Sequence, residues 1–166
     1  MKIVIDTREQ NPLVFRDSVV KTLKTGDYSL EGYEHKVAIE RKSAADLFQT
    51  LGKGNKMFQK ELKRSCNLDY FGIVIESPIS VIQDKLFEGA HYSKMRGDVI
   101  LSILFTLSIK YNVHVFFCNG RNEARDLVRG ILKAYFNAIE APLKFKSNDL
   151  EMLQLAQKLK RKWIIR

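Results

Sequence analysis

Two carboxylates and an amine stand close together in the first third of the chain, at Asp27, Glu40 and Lys42. Residues 36–39 alternate in hydrophobicity as a β-strand does, so the strand ends with Glu40 and Lys42 on the same face. Charge at the rim of a sheet is partly exposed, and a cation there can offset the repulsion between two carboxylates. We therefore predict that Asp27 and Glu40 form a cation site.

These residue types suit chemistry on a phosphate ester. Mg²⁺ takes oxygen ligands and keeps several waters, so one or two carboxylates and phosphate oxygens form a usual ligand set. Hydrolysis also requires an activated water and stabilisation of the charge that develops in the transition state. Lys42 is placed to stabilise this transition-state charge. Arg41 should point to the opposite face and brace the sheet or a neighbouring acid.

Other acids follow apolar runs that are typical of strands. Residues 2–6 end in Asp6, and residues 70–76 end in Glu76. Each of the two acids could simply be a turn residue at a strand end, or both could share a metal site at one edge of the sheet. Arg8 and Glu9 follow Asp6, and they could equally pair with neighbouring surface charges.

The chain resembles a known family in three motifs. Val4-Ile5-Asp6-Thr7-Arg8-Glu9, Gly26-Asp27-Tyr28 and Glu40-Arg41-Lys42-Ser43, with Asp46-Leu47 after the last, occur in that order. They closely resemble the nuclease domain of the XPF/MUS81 (ERCC4-type) structure-specific endonucleases, whose signature is GD followed by ERKxxxD. Further similarity at residues 58–62, 74–76 and 111–117 extends the resemblance over roughly residues 2–140. ERKxxxD is a specific element, whereas GDY alone would be a weak signal.

The resemblance implies an α/β protein with a restriction-endonuclease-like three-layer α/β/α fold and a central mixed sheet. It implies Mg²⁺- or Mn²⁺-dependent cutting of branched or duplex DNA near flaps and forks, in DNA repair or recombination. The catalytic residues would be Asp27, Glu40, Lys42, Arg41 and Asp6. The metal ligands would come from Asp27, Glu40, Asp6 and Glu76. Supporting residues would be Arg8, Glu9, Asp46 and Gln59.

Two helices should follow the ERK element. Ser43 and Asp46 have the spacing of a helix N-cap with an acid three residues later, so for Asp46 we expect capping ahead of catalysis. A second helix, residues 57–66, should bury Phe58, Leu62 and Cys66. Its cations remain for solvent or for DNA phosphates. These cations, with two from the preceding loop, are Lys53, Lys56, Lys60, Lys63 and Arg64.

The remaining elements predict a sheet with helices on both faces. Val14–Phe15 and residues 19–23 read as short strands, residues 79–87 as a helix and residues 113–118 as a strand. Residues 94–110 predict a helix that is apolar all round, and we expect it to be centrally buried. A further helix should place Val128, Leu132 and Tyr135 at core spacing.

Composition divides the 166-residue chain at about residue 140. Residues 1–140 should form the nuclease domain, while residues 141–166 carry +5 of the net charge of +9 and read as a basic helical tail. Near the end of the predicted tail helix lie Lys160, Arg161 and Lys162, which could bind DNA or a protein partner. No glycine follows Gly130, so we do not expect the tandem helix-hairpin-helix domain of the larger relatives.

Several classes of protein are disfavoured. No apolar run is long enough for a membrane span, and the N-terminus lacks a signal-peptide pattern, so we expect an intracellular protein, in the cytoplasm, nucleoid or nucleus, without a membrane partner. Two cysteines without zinc-ligand spacing indicate neither a disulfide framework nor a zinc module. A Holliday-junction resolvase, a nicking nuclease, a non-catalytic DNA-binding module and a protein scaffold remain alternatives, and a homodimer is left open.

Overall fold

The computed structural model describes residues 1–52 and 55–140. The predicted DNA-binding residues Lys53, Lys160, Arg161 and Lys162 lie outside these residues, as does the predicted tail helix. The proposed boundary at residue 140 therefore stays a prediction. Met1–Phe136 form one compact unit, and a second unit begins at Asn137.

A six-stranded mixed sheet runs through the middle of the first unit, in the order β2-β1-β3-β4-β5-β6. The strands are β1 Ile3–Asp6, β2 Ser18–Lys21, β3 Tyr28–Leu30, β4 Val37–Lys42, β5 Tyr70–Ile75 and β6 His114–Phe117. β3 is antiparallel to β1 and β4, and all other neighbours are parallel. The carboxyl ends of five strands and the amino end of β3 therefore meet at one edge, which we call the site edge.

Helices cover both faces of this sheet. Among the described residues they are α1 Ala44–Leu51, α2 Asn55–Ser65, α3 Ile79–Asp84, α4 Gly97–Tyr111 and α5 Arg121–Glu140, with a 3₁₀ turn at Ala90–Tyr92. Alternate residues of β4 enter two cores: Ala38 packs with α1, α2 and α4, whereas Val37 and Ile39 pack with α5. This three-layer α/β/α arrangement confirms the predicted fold class.

The predicted strand at Val14–Phe15 is wrong. The segment before β2 is irregular because side chains, and not a neighbouring strand, hold it. The Tyr28 hydroxyl accepts a hydrogen bond from the Leu13 N–H at 2.9 Å. The ring of Phe15 packs edge-on against Tyr28, with 5.7 Å between ring centroids. The following strand, β2, covers Ser18–Lys21, so it begins one residue earlier and ends two residues earlier than the predicted strand at 19–23.

The predicted central burial of α4 is also wrong. Ile100, Leu104 and Leu107 face the core, but Phe105 is exposed and Ile109 is 87% exposed. α4 lies in an outer layer, so only one of its faces can contact the sheet. An all-round apolar composition does not distinguish such a helix from a central one.

Two helix predictions need smaller corrections. Cys66, expected on the buried face of α2, is exposed because the helix ends at Ser65, which takes the buried position. α3 ends at Asp84 and not at residue 87, since Lys85 adopts a left-handed conformation with φ of 56°. Cys66 and Cys118 are both free thiols.

Among the described residues, no helix combines the length and the apolar composition that crossing a membrane would require.

Candidate active site

Gly26 and Asp27 lie at the site edge, directly before β3. Gly26 has a positive φ of 74°, and a Cβ atom at this position would come within 3.0 Å of the Ala38 side chain and of the Ile39 carbonyl oxygen. The Asp27 N–H donates to Ile39 O at 2.9 Å, and the Asp6 N–H donates to Asp27 O at 2.8 Å. Glycine thus permits the close approach that fixes Asp27 between β1 and β4.

The structure brings Asp27, Glu40 and Lys42 to the same part of the site edge. The Arg41 N–H donates to Asp27 Oδ2 at 2.7 Å, which ties the Asp27 carboxylate to the end of β4. Glu40 is buried, with 6% of its surface exposed. The Lys42 ammonium donates to Glu40 Oε1 from the same face of the strand. These contacts orient both carboxylates before any ligand binds.

Burial makes the two carboxylates hard to ionise together. Burial raises the pKa of Asp27 to about 6, although the Arg41 N–H and the charge of Lys42 oppose this. Burial and the negative charge of Asp27 raise the pKa of Glu40 well above its usual range. Burial would lower the pKa of Lys42, but the charges of Glu40, Asp27 and Glu61 and the hydrogen bond to Glu40 together outweigh this effect and raise the pKa. A cation beside the two acids would relieve their repulsion.

The donor set fits a hard divalent cation. Within the described residues, no group of three or more His, Cys, Asp or Glu side chains is arranged to hold a metal ion. Two carboxylates would therefore provide the protein ligands. Mg²⁺ commonly binds with one or two carboxylates, completing its octahedron with water and phosphate oxygens.

Glu61 on α2 belongs to this site, although the sequence did not single it out. Its Oε1 accepts a hydrogen bond from the Gly26 N–H at 3.0 Å. Its negative charge also raises the pKa values of Asp27 and Glu40, after the larger effects of burial. The sequence carried a weak indication that Glu61 faces the protein and not solvent. It lies three residues after Phe58 and directly before Leu62, which are both buried.

We expect Glu61→Ala to lower the free energy of unfolding by about 1–3 kcal/mol, because it leaves the buried Gly26 N–H without an acceptor. Glu61→Gln keeps an acceptor oxygen at this position and should cost clearly less. Thermal and urea unfolding of the two variants measures the difference. Equal losses for Ala and Gln would show that the hydrogen bond to Gly26 does not matter.

The Asp6 carboxylate accepts hydrogen bonds from a different set of donors than the Asp27 and Glu40 carboxylates do. Its Oδ1 accepts from the Arg8 N–H at 2.9 Å and from Arg8 Nε at 2.7 Å, while its Oδ2 accepts from the Leu23 N–H at 2.5 Å. Burial would raise the pKa of Asp6, but Arg8 and the Leu23 N–H lower it overall. Both oxygens thus already have donors, and a direct metal-ligand role for Asp6 stays a prediction.

Arg41 points to the other face of β4, as the alternation of side chains predicted. Its Nη2 donates to Glu9 Oε1 at 2.9 Å, and its Nη1 lies 3.1 Å from Glu76 Oε2. The Arg41 side chain is only 11% exposed, and Glu9 is buried with it. Glu76 also lies 3.8 Å from Arg121. Glu76 is thus engaged by cations, and its predicted role as a metal ligand is untested.

The remaining predicted residues lie on α1 and α2. Ser43 is the N-cap of α1 and pairs with Asp46 in the first turn: the Asp46 N–H donates to Ser43 Oγ at 3.1 Å, and the Ser43 hydroxyl donates to Asp46 Oδ2 at 2.6 Å. This confirms the predicted capping. Gln59 is exposed on α2. Four predicted DNA-binding cations are also exposed on α2, namely Lys56, Lys60, Lys63 and Arg64.

The raised pKa of Asp27 predicts how stability depends on pH. The pKa of Asp27 rises from its ordinary 3.8 to about 6 in the folded protein, so between these pH values the folded protein holds a proton that the unfolded chain has released. The stability of the metal-free protein therefore falls as pH rises through this window. A difference of this size is worth up to about 3 kcal/mol.

We expect Asp27→Asn, which still accepts from the Arg41 N–H, to raise the melting temperature of the metal-free protein at pH 7.5 by about 5 °C. At pH 4, where Asp27 is largely protonated in the folded protein, the variant should gain little. Melting curves in EDTA at both pH values measure this. A lower melting temperature for the variant at pH 7.5 would contradict the burial argument.

Comparison with known proteins adds to this geometry. A profile of the ERCC4 domain matches residues 5–131. Among solved structures, the fold is similar to XPF from Aeropyrum pernix, with a TM-score of 0.65, 15% identity and coverage of 84% of this chain and 67% of that chain. A structure of XPF from Aeropyrum pernix in complex with DNA matches with a TM-score of 0.62, 15% identity and coverage of 93% and 72%. The comparison with curated proteins gave no match.

Proposed function

Since the chain belongs to the ERCC4 domain family, we propose that it is a metal-dependent endonuclease that hydrolyses DNA at or near branch points. The observation that carries this proposal is the convergence of Asp27, Glu40 and Lys42 at one edge of the sheet. The chain retains both acids and the lysine of the family motif, which argues against a non-catalytic DNA-binding module. The fold that it shares with a DNA-bound XPF supports DNA as the substrate.

Asp27 and Glu40 would hold Mg²⁺ or Mn²⁺. Bound there, the ion would supply Lewis-acid polarisation of the scissile phosphate and a lowered pKa for an attacking water. Asp27 is held in position for this role because the Arg41 N–H fixes one of its oxygens. Glu40 is held by its hydrogen bond with Lys42.

Lys42 would act on the substrate. In the metal-free site its ammonium is paired with Glu40, and a cation on Glu40 would weaken that pairing. The ammonium could then donate to a non-bridging phosphate oxygen, where negative charge increases in the transition state. A donor that is positioned in advance in a half-buried site stabilises such charge more than water does.

The other predicted residues would support this arrangement. Arg8 and Asp6 join the end of β1 to the segment before β3 through the Leu23 main chain. Arg41 joins β4 to Glu9 and Glu76 on the far side of the sheet. We assign both groups a positioning role, because their charged atoms are engaged with one another.

A cleavage assay tests the proposal. End-labelled flap, fork, four-way and linear DNA of equal length are incubated with Mg²⁺, Mn²⁺ or EDTA. We expect cuts near the branch of the flap or the fork with either metal, and none in EDTA. Preferential, symmetric cutting of the four-way DNA would favour a junction resolvase. Binding without any cut would favour a non-catalytic module and overturn the proposal.

A further inference from the structure

α5 carries a row of cations that the site and the predicted DNA-binding surface leave out. A cation recurs at every fourth position, at Arg121, Arg125, Arg129 and Lys133. Four residues of α-helix rise by about 6 Å, so successive cations are neighbours along the helix. The row begins at the site edge, where Arg121 donates to the carbonyl oxygens of Asn11 and Pro12 at 2.7 and 2.6 Å.

Two of these cations open onto a cleft of about 270 Å³. We call it the arginine cleft; its lining includes Arg16, Arg125, Arg129, Val14 and Phe15. The Arg129 side chain is 63% exposed and that of Arg125 is 42% exposed, so their guanidinium groups can be reached from solvent. Val14 is 81% exposed, which leaves an apolar side chain beside three arginines.

Two acids accompany these arginines. Asp126 Oδ1 lies 3.3 Å from Arg125 Nε and 3.4 Å from Arg129 Nη2, and Asp17 lines the cleft. Exposed ion pairs at such distances contribute little stability. A phosphate can accept hydrogen bonds from both forks of Arg125 and Arg129 and can compete with Asp126 for them.

The arginine cleft and the basic surface of α2 lie on opposite faces of the sheet. α2 packs on the core that contains Ala38, whereas α5 packs on the core that contains Val37 and Ile39. The site edge lies between the two faces. From Arg121 to Arg129 the helix rises by about 12 Å, and a DNA strand carries one phosphate for about every 3.4 Å of duplex axis. The cleft is thus three to four nucleotides away from the edge.

A straight duplex lying on the site edge cannot follow both faces of a three-layer domain. To do so it would have to bend sharply, and bending 20–30 base pairs by 40–90° costs on the order of 1–6 kcal/mol. Branched DNA has arms that already diverge from one point, so it could lie on both faces with the junction at the site edge. This shape matches the placement of the two basic surfaces.

We propose that the arginine cleft binds the phosphate backbone of a second arm of branched DNA, while α2 faces the first arm. The inference rests on the proposed function, because it assumes a DNA substrate at the site edge. It assigns Arg16, Arg125 and Arg129 to substrate selection. It therefore predicts that their loss weakens binding of branched DNA much more than binding of linear duplex.

The test is a triple substitution, R16A/R125A/R129A, in the 166-residue chain. Binding of a fluorescent flap DNA and of a linear duplex of equal length is measured in EDTA at several salt concentrations. We expect the affinity for the flap to fall by roughly tenfold or more and the slope of log K against log salt to fall by about two to three. Affinity for the linear duplex should change by no more than about threefold.

A matched control is K94A/R96A/K110A, which removes the same charge from exposed positions in and beside α4. It should leave the preference for the flap unchanged. R125Q/R129Q removes two of the charges but keeps most of each side chain, so it is less prone to a folding defect than the alanine variant. Melting curves of each variant detect such a defect. The inference is overturned if the cleft variant binds the flap as tightly as the parent chain, or if the control loses the preference equally.

Failure of the proposed function would look different. In that case the parent chain itself would not cut any DNA with Mg²⁺ or Mn²⁺. A parent chain that cuts flap DNA, together with a cleft variant that binds and cuts it equally well, would remove only the second-arm site.

Discussion

Asp27→Ala and Glu40→Ala should each reduce DNA cleavage by about 10³-fold or more, which corresponds to a loss of at least about 4 kcal/mol of transition-state stabilisation. Each substitution removes one of two carboxylates that would hold the catalytic cation. DNA binding should stay the same or become tighter, since a negative charge close to the phosphates is lost. Single-turnover cleavage of a flap DNA and equilibrium binding in EDTA measure the two effects separately.

Isosteric variants separate the chemistry from the fold. Asp27→Asn keeps an acceptor for the Arg41 N–H, and Glu40→Gln keeps one for Lys42, yet both should be nearly as inactive as the alanine variants. Glu88→Ala, which removes an exposed acid from the segment between α3 and α4, should cut at the parent rate. Unchanged turnover in both the Asp27 and the Glu40 variants would remove the proposed mechanism.

Lys42→Met has the second-largest expected effect. It keeps the length and apolar stem of the side chain but removes the ammonium, so cleavage should fall by about 10²–10³-fold, as loss of one charge-stabilising donor does in other enzymes. Affinity for DNA should change little, because the interaction grows mainly in the transition state. Lys42→Arg should recover part of the rate, since the positive charge remains while its geometry changes.

Single-turnover rates at saturating enzyme, with melting curves for each variant, test this prediction. The melting curves matter because Lys42 also pairs with the buried Glu40, and its loss leaves that acid without its partner. A cleavage rate within about threefold of the parent chain for a folded Lys42→Met variant would show that Lys42 is not used in the transition state.

The local geometry of the site could be predicted from the sequence because it depends on the strand alone. Successive side chains of a strand alternate between faces, which places Glu40 and Lys42 together and sends Arg41 to Glu9 and Glu76. The Ser43–Asp46 cap was predictable for a similar reason, since its partners are three residues apart.

Features that depend on packing between distant segments were not predictable in this way. Glu61 reaches Gly26 across 35 residues of sequence, and only the docking of α2 brings them together. Asp6 and Asp27 are both strand-end acids, but the Leu23 main chain and Arg8 engage the first and not the second. The exposed side of α4 has the same apolar residue types as its buried side, so composition could not reveal it.

A crystal structure with Mn²⁺ and a short flap DNA tests the central claim most directly, because the anomalous signal locates the ion without reference to activity. We predict an ion bound by carboxylate oxygens of both Asp27 and Glu40, at the roughly 2.0–2.3 Å typical of small divalent cations, with the Lys42 ammonium turned toward a phosphate oxygen. The same soak of Glu40→Gln should show a much weaker signal. An ion bound elsewhere, for example by Asp6 and Glu76, with none between Asp27 and Glu40, would contradict the account.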